Sequence, residues 1–413
     1  MILKAKWLED ADVQALFAAL NARGQEARVI GGAVRNALTG EGLSDVDFAT
    51  TTLPDETIVR IEAAGFKAVP TGYAHGTITA VKNGRAYEIT TLRRDVATNG
   101  RHAEVAFGVD WEADAKRRDF TINALSCDAD GSVYDYCGGL ADIKTRTIRF
   151  IGDAETRITE DYLRSLRFYR FFAFYGSGRP DAAGIRATAK LKTGLAQLSA
   201  ERVWAEVKKL LSAPDPSRAL MWMRQAGVLT AVLPESENWG IDAVPGLIAT
   251  GIALHWPADA MLRLMAITPP DVVRVEAMAK RLKLSKLERD RIAAFAEAAP
   301  IAGTTSETAL AKRLYHEGKS GISDRLKLAL AGARTKAVSS NDAMLDAGQL
   351  NRLLVFAEKW QRPVFPVTGK DLKMKGFGEG TALGEALKAM EQRWIESGFK
   401  LERDELLNLH KDL

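Results

Sequence analysis

The residues best suited to chemistry lie between Gly31 and Thr52: a turn reading Gly31-Gly32-Ala33-Val34-Arg35, followed by Asp45-Val46-Asp47. Carboxylates one residue apart on a strand project from the same face, where their repulsion asks for a raised pKa on one of them or a divalent cation between them. A glycine pair lets the backbone turn sharply and approach a ligand with no Cβ in the way. Arg35 then falls in the first turn of a following helix, whose free N–H groups already favour an anion. Taken singly these features are ordinary, since Gly-Gly is commonly just a turn and Asp-x-Asp a loop pair. In this order they form a layout that holds a nucleoside triphosphate against a metal-bearing sheet edge.

The flanking segments predict what positions them. Ala27–Ile30 has the β-branched character of a strand feeding the turn. Asp10–Ala22 is an amphipathic helix with Val13, Leu16, Phe17 and Leu20 on one stripe, suited to covering a sheet. Pro54–Ala64 repeats the helical pattern and Phe66–Pro70 resembles another strand. Residues 76–81 and 86–92 alternate in polarity across Lys82-Asn83-Gly84-Arg85, where Asn-Gly signals a hairpin, so the sheet is mixed or antiparallel. Glu88 is either a third carboxylate facing the aspartates or a solvent-facing strand residue; His75 reads as structural. The stretch Arg93–Trp111 has charges and Asn99-Gly100 but no period, and reads as a mobile loop. It leads into Lys116-Arg117-Arg118-Asp119-Phe120-Thr121-Ile122-Asn123. Guanidinium forks suit triphosphate oxygens there, and Asp119 and Asn123 suit ribose hydroxyls; a solvated charge run is the alternative.

A chain of 413 residues, 46% hydrophobic and 27% charged, is long enough for two to four soluble globular domains. A net charge of +4 is too mild to announce a nucleic-acid partner, so any RNA site must be a local patch. Cys127 and Cys137 make neither a metal spacing nor a disulfide framework. No run reaches membrane length and the N-terminus lacks a signal-peptide core, so a cytoplasmic location is expected.

Against this background the chain resembles the class II nucleotidyltransferases that build or repair the CCA end of tRNA, a family that includes bacterial poly(A) polymerases. The likeness rests on five ordered motifs. They are Gly31-Gly32-Ala33-Val34-Arg35 with Asp45-x-Asp47-x-x-Thr50, Arg117-Arg118-Asp119-Phe120-Thr121-x-Asn123-Ala124, Asp135-Tyr136-Cys137-Gly138-Gly139-Leu140-x-Asp142, Glu160-Asp161-x-x-Arg164-x-x-Arg167, and Ser199-x-Glu201-Arg202-x-x-x-Glu206. Two positions depart from the pattern: Asn36 stands where aspartate is common, and Ala103 where proline is usual. The likeness covers most of the chain and is closest up to about Leu211.

The implied fold is an α+β nucleotidyltransferase head, a mixed β-sheet with helices over residues 1–150, followed by an all-α neck (151–215), body (216–340) and tail (341–413). Composition changes from strands to helices near Ile151, in keeping with this. Ser199–Leu211, Asp259–Ile267, Val272–Lys283, Lys286–Ala299 and Thr308–Tyr315 read as helices, and the lysines and glycines of Phe365–Leu387 suit close approach to an RNA backbone.

A helix is expected from Thr159, placing Asp161, Arg164, Arg167 and Arg170 at three-residue steps. Cytosine and adenine each pair an exocyclic amine donor with a ring-nitrogen acceptor, and uracil and guanine present the opposite arrangement. An aspartate only accepts and an arginine only donates, so Asp161 and Arg164 together form an edge that fits C and A and leaves groups unpaired against U and G. The resemblance assigns this motif that role and implies that Arg167 and Arg170 help hold the nucleotide. Asp45 and Asp47 would hold two Mg²⁺ ions for in-line displacement of pyrophosphate, with Gly32, Arg35 and Arg118 cradling phosphates and sugar.

The expected partners are tRNA, CTP and ATP, with no membrane and no obligate protein partner. Thr51-Thr52-Leu53-Pro54-Asp55-Glu56 follows the aspartates where poly(A) polymerases carry an additional basic motif, which favours CCA addition. Poly(A) polymerase, an A-adding or CC-adding enzyme, and a catalytically silent RNA-binding protein are the alternatives. The last is disfavoured because folding alone gives no reason to keep two repelling carboxylates together.

Overall fold

The computed structural model describes residues 1–42, 45–99, 102–237, 239–376, 378 and 380–408, with side chains described except at 94–106. The chain divides into two compact units, Met1–Pro234 and Glu235–Leu413.

Among the described residues the first unit is built on nine strands: β1 (Ala27–Ile30), β2 (Asp47–Thr50), β3 (Lys67–Gly72), β4 (Thr77–Lys82), β5 (Arg85–Thr91), β6 (Arg93–Asn99), β7 (His102–Phe107), β8 (Ser126–Cys127) and β9 (Val133–Tyr134). Seven of them form a mixed sheet in the order β3-β4-β5-β2-β1-β8-β9. β1 runs antiparallel to β2 with Ile30 opposite Asp47, and β2 runs parallel to β5 with Phe48 opposite Ile89. This register sets the glycine turn that follows Ile30 beside the first residue of β2.

Helices α1 (Ala11–Leu20), α2 (Gly32–Thr39), α3 (Pro54–Ala63), α4 (Trp111–Lys116) and α5 (Gly139–Lys144) surround the sheet. Asp10 caps α1 by accepting from the Asp12 and Val13 amides, and the stripe Val13, Leu16, Phe17 and Leu20 is buried as its spacing predicts. Phe17 meets Phe48 edge-to-face with centroids 5.0 Å apart, tying α1 to β2. The expected hairpin joins β4 and β5, with Asn83 and Gly84 both at positive φ, +51° and +75°.

Two expectations need correction. Arg93–Trp111 is largely not a loop: β6 and β7 pair as an antiparallel ribbon and α4 begins at Trp111, capped by Asp110. Its Gly100 and Arg101 lie outside the described residues. Nor does one helix run from Thr159. α6 (Ala154–Glu160) ends at Asp161, whose φ of −156° and ψ of 108° are extended, and α7 (Leu163–Tyr175) starts afresh. No Pro or Gly marks this break, so the helical spacing of the sequence continues across it.

Helices α8 (Ala182–Lys190), α9 (Ala200–Leu211), α10 (Ser217–Gln225) and α11 (Val228–Val232) complete this unit. A cluster of Phe120, Phe150, Phe168 and Phe171, with centroid separations from 4.9 to 6.3 Å, packs α7 against the segment after Asp119. Each ring buries a large apolar area, so α7 is held firmly against the motif it faces.

The second unit is helical: α12 (Ala243–Ala253), α13 (Ala260–Ala266), α14 (Val272–Arg281), α15 (Lys286–Glu297), α16 (Glu307–Glu317), α17 (Lys319–Lys336), α18 (Asn341–Lys359), α19 (Gly369–Met374), α20 (Thr381–Glu396) and α21 (Arg403–Asn408). Arg291 of α15 clamps Asp259 and Asp324 at 2.6 and 2.8 Å, joining α13 and α17. Among the described residues no helix is long and apolar enough to cross a membrane.

Candidate active site

Gly31 leaves β1 at φ +66°, a region open to glycine, and its N–H donates to the Leu125 carbonyl at 3.1 Å. α2 begins at Gly32, so the turn and the first helical amides border a cavity of about 480 Å³. The same cavity is lined by Asp47, Arg117, Arg118, Asp119, Asn123, Asp161, Arg164, Arg167 and Arg202. Residues as far apart in sequence as Gly31 and Arg202 thus converge on one polar, cationic space.

Asp47 is the first residue of β2, whereas Asp45 lies before the strand, is exposed, and borders a different cavity. The two aspartates are therefore not neighbours along one strand, though their charges still interact. Burial raises the Asp47 carboxyl first, and the charges of Glu88 and Asp45 add to it, so that it reaches about 6 despite the opposing pull of Arg118. Glu88, on β5, acts on Asp47 ahead of Asp45. Among the described residues no group of three or more His, Cys, Asp or Glu is gathered as a ready metal site. Asp47, a half-buried carboxylate under the negative charges of Glu88 and Asp45, suits a hard divalent cation, which accepts carboxylate oxygens and relieves such repulsion.

The arginines are individually restrained. Asp114 holds Arg117 at 2.6 Å and Arg118 at 2.9 Å. Burial alone would raise the Asp114 carboxyl, but these two cations outweigh it and hold it below the usual carboxylate range. Asp119 faces the same contest: burial pushes it up, and Arg167 at 2.6 Å with the Asn123 amide at 3.0 Å brings it down. Arg164 is held by Glu160 and by the Arg157 carbonyl, and Asp161 pairs with Arg202 at 2.6 Å. Arg170 turns to the buried Glu206 at 2.6 Å and does not line the cavity.

Arg35 is 7% exposed and lines the cavity, yet its guanidinium is enclosed by neutral acceptors. It donates to Asn123 Oδ1 at 2.5 Å, to Asn36 Oδ1 at 2.9 and 3.1 Å, and to the Tyr175 hydroxyl at 2.8 Å, over whose ring it sits at 4.1 Å. Burial lowers its pKa, and the Tyr175 hydroxyl opposes that shift. Asp119 and Asn123, expected at ribose hydroxyls, each orient an arginine while lining the cavity.

Sequence reasoning missed Asp114, Tyr175 and the parts played by Arg202 and Glu206. Arg202 and Glu206 stood in a recognised motif, and their type and spacing marked them as partners for something. Asp114 and Tyr175 carried no signal, since a lone aspartate in a short helix and a tyrosine ending an aromatic helix are common. His75 sits in a short turn, where its carbonyl accepts from Arg93 at 2.5 Å, a structural role.

Comparison with known proteins adds to this geometry. Residues 27–149 match the family described as the poly A polymerase head domain, and residues 183–239 match a probable RNA- and SrmB-binding site of polymerase A. The chain is 34% identical over 400 residues to the mitochondrial CCA tRNA nucleotidyltransferase 1 of Mus musculus, covering 96% of this chain and 88% of that protein. The Homo sapiens counterpart is 32% identical over 390 residues, covering 94% and 86%. A crystal structure of the Bacillus stearothermophilus CCA-adding enzyme in complex with CTP superposes with a TM-score of 0.73 at 26% identity, covering 97% of this chain and 96% of that one. The mitochondrial designation of the two mammalian relatives points away from the plain cytoplasmic location expected from the sequence, and that expectation is withdrawn.

Proposed function

The chain belongs to the CCA-adding tRNA nucleotidyltransferases, and on that premise we propose how its residues complete the 3′ end of tRNA, adding C, C and A from CTP and ATP with release of pyrophosphate. The observation that carries the proposal is a single cavity bordered by the Gly31–Gly32 turn, Asp47, and the Asp161, Arg164 and Arg167 cluster. It gives one nucleotide a phosphate end and a base end at once.

Gly32 and the first amides of α2, with Arg118, take the triphosphate oxygens, and Arg35 adds its positive charge from within its shell of neutral acceptors. Asp161 accepts from the exocyclic amine of C or A, and Arg164 donates to the adjacent ring nitrogen. Arg202 holds the Asp161 carboxylate in place, and Arg167, fixed by Asp119, borders the sugar. Arg170 acts from behind by anchoring α7 to Glu206 of α9. The 3′-oxygen of the RNA bonds to the α-phosphorus as the bond to the pyrophosphate oxygen breaks, and the hydroxyl proton departs to solvent. Positioning and charge neutralisation do the work, with no covalent enzyme intermediate.

Enzymes of this family use a divalent metal. We assign Mg²⁺, held by Asp45 and Asp47 with Glu88 beside them; when bound, it neutralises phosphate charge and acidifies the attacking hydroxyl. The helices of residues 216–340 and 341–413 are assigned as body and tail, the latter bearing on the tRNA.

Purified protein with Mg²⁺ is incubated with tRNA transcripts ending before CCA, at the first C and at the second C, with CTP and ATP separately and together. Growth by C, C and A followed by arrest supports the proposal. Unlimited A extension marks a poly(A) polymerase, A added only to the last transcript marks an A-adding enzyme, and no metal-dependent incorporation removes the enzyme reading.

A further inference from the structure

The helical unit Glu235–Leu413 carries a cavity of its own, about 600 Å³, in the size range of small-molecule sites. Helices α12, α13, α15 and α17 contribute its walls, and Leu247, Met265, Phe295, Ile301 and Leu328 give it an apolar lining. Trp239 also lines it and is 44% exposed, so a large aromatic side chain borders both the cavity and solvent.

A space left by imperfect packing would be apolar throughout. This one holds two cations, Arg325 and Lys336 of α17, and among the described residues no acidic side chain lines it. The Arg325 guanidinium is fixed in place. Its Nε donates to the Phe295 carbonyl at 2.9 Å and its Nη2 to the Ala296 carbonyl at 3.3 Å, and it lies 4.4 Å over the Phe295 ring. Its Nη1 has no hydrogen-bond partner among the described residues. Arg291 of the same unit is clamped by two carboxylates, whereas the charge that acts on Arg325 is another cation, Arg313. Burial lowers the Arg325 pKa and Arg313 lowers it further, a strain that an incoming anion relieves.

The room above α17 has its own signature. Gly332 sits inside that helix and lines the cavity, at a place where glycine costs about 1 kcal/mol relative to alanine. Its φ is not positive, and a Cβ there would meet nothing within 4 Å. Neither turn geometry nor close packing calls for this glycine; it leaves the cavity wide.

An apolar chamber with a fixed guanidinium and no carboxylate suits a ligand with one negative charge and an apolar tail. A polyanion such as RNA or a triphosphate would want more cations and fewer apolar walls. We propose that this cavity binds a small apolar monoanion of the class of medium-chain monocarboxylates, its carboxylate at Arg325 with Lys336 nearby, its tail against Phe295, Leu328 and Met265. The site shares no residue with the nucleotide cavity and does not rest on the nucleotidyl-transfer reading.

Two dyes titrated into the full-length protein test this: anilinonaphthalene sulfonate, an apolar monoanion whose emission rises away from water, and the uncharged N-phenylnaphthylamine. Decanoate, decylamine and tRNA serve as competitors, the first two below their micelle concentrations. One equivalent of the sulfonate is expected to bind, and decanoate displaces it while decylamine does not. Arg325→Gln should weaken the sulfonate about tenfold, the scale of one charge-assisted hydrogen bond, and leave the neutral dye unchanged. Arg325→Lys should recover part of that loss. Gly332→Leu, which fills the cavity and favours the helix, should remove both dyes. Unchanged sulfonate affinity in Gly332→Leu or in Arg325→Gln overturns the site, as does equal displacement by decanoate and decylamine. Displacement by tRNA but not by decanoate marks an RNA surface and overturns it too. Should Gly332→Leu lose its cooperative thermal transition, Ala329→Leu, one turn earlier on α17, decides in its place.

Discussion

Arg202 of α9 donates to Asp161 at 2.6 Å, while Asp161 and Arg164, three residues apart in sequence, are each held by someone else. The Leu163 amide donates to the other Asp161 oxygen at 3.1 Å. A carboxylate pinned through both oxygens at the break between two helices presents its remaining lone pairs in a fixed direction, as a template edge must.

Replacing Arg202 by Gln frees that carboxylate to rotate. Discrimination between CTP and UTP, read as the ratio of their kcat/KM values, is expected to fall about tenfold, the worth of one charge-assisted hydrogen bond. Arg202→Lys should recover part of it. A purely structural role would lower both values and leave their ratio alone.

Asp47 must be ionised to hold a cation, and its carboxyl stands at about 6. Activity at limiting Mg²⁺ should therefore fall as pH drops through about 6, and the acid limb should move lower as Mg²⁺ is raised, because metal and proton compete for one group. The stability sign is the reverse. A carboxyl raised on folding favours the native state while protonated, and that advantage is lost as pH climbs from the ordinary aspartate value through about 6. Asp47→Asn is expected to abolish incorporation yet raise stability at pH 7.5 by on the order of 1 kcal/mol, measured by urea melts without metal.

Asn36→Asp restores an ion pair to Arg35. With the guanidinium already 2.9 Å from this side chain, the pair should stabilise the protein by about 1 kcal/mol, read as a higher melting temperature. It also neutralises a charge in the nucleotide cavity, so the KM for both CTP and ATP should rise severalfold.

Gly139 opens α5 against a turn, and a Cβ there would run into the Thr121 carbonyl oxygen. That turn carries Asn123, which holds Arg35 at 2.5 Å. Gly139→Ala should destabilise the protein by about 1–3 kcal/mol in denaturant titration, as overpacking against backbone does. Nucleotide KM should rise with it.

Much of the site was legible because its parts are local. The Gly31–Gly32 turn, the strand before it, the α1 stripe and the Asn83-Gly84 hairpin each follow from neighbours within a few residues. What escaped is non-local or hidden by a permissive sequence. Nothing near Asp161 announces that its helix stops there, and its partner lies 41 residues on. The β6–β7 ribbon lacks clean alternation over Arg93–Phe107, its register shifting between Asp95 and Ala97, so period alone read it as a loop. Arg35 looked like a phosphate ligand because type and position fit. Only the fold shows Tyr175, 140 residues away, closing over it.

The enclosure of Arg35 by neutral acceptors leaves a standing positive charge at the cavity before any nucleotide arrives, and Arg118 lines the same cavity. Such a site does not distinguish an incoming triphosphate tail from the same atoms after cleavage. The groups that draw in the triphosphate therefore also hold the pyrophosphate once it is cut free, so added pyrophosphate competes for the space the next nucleotide needs.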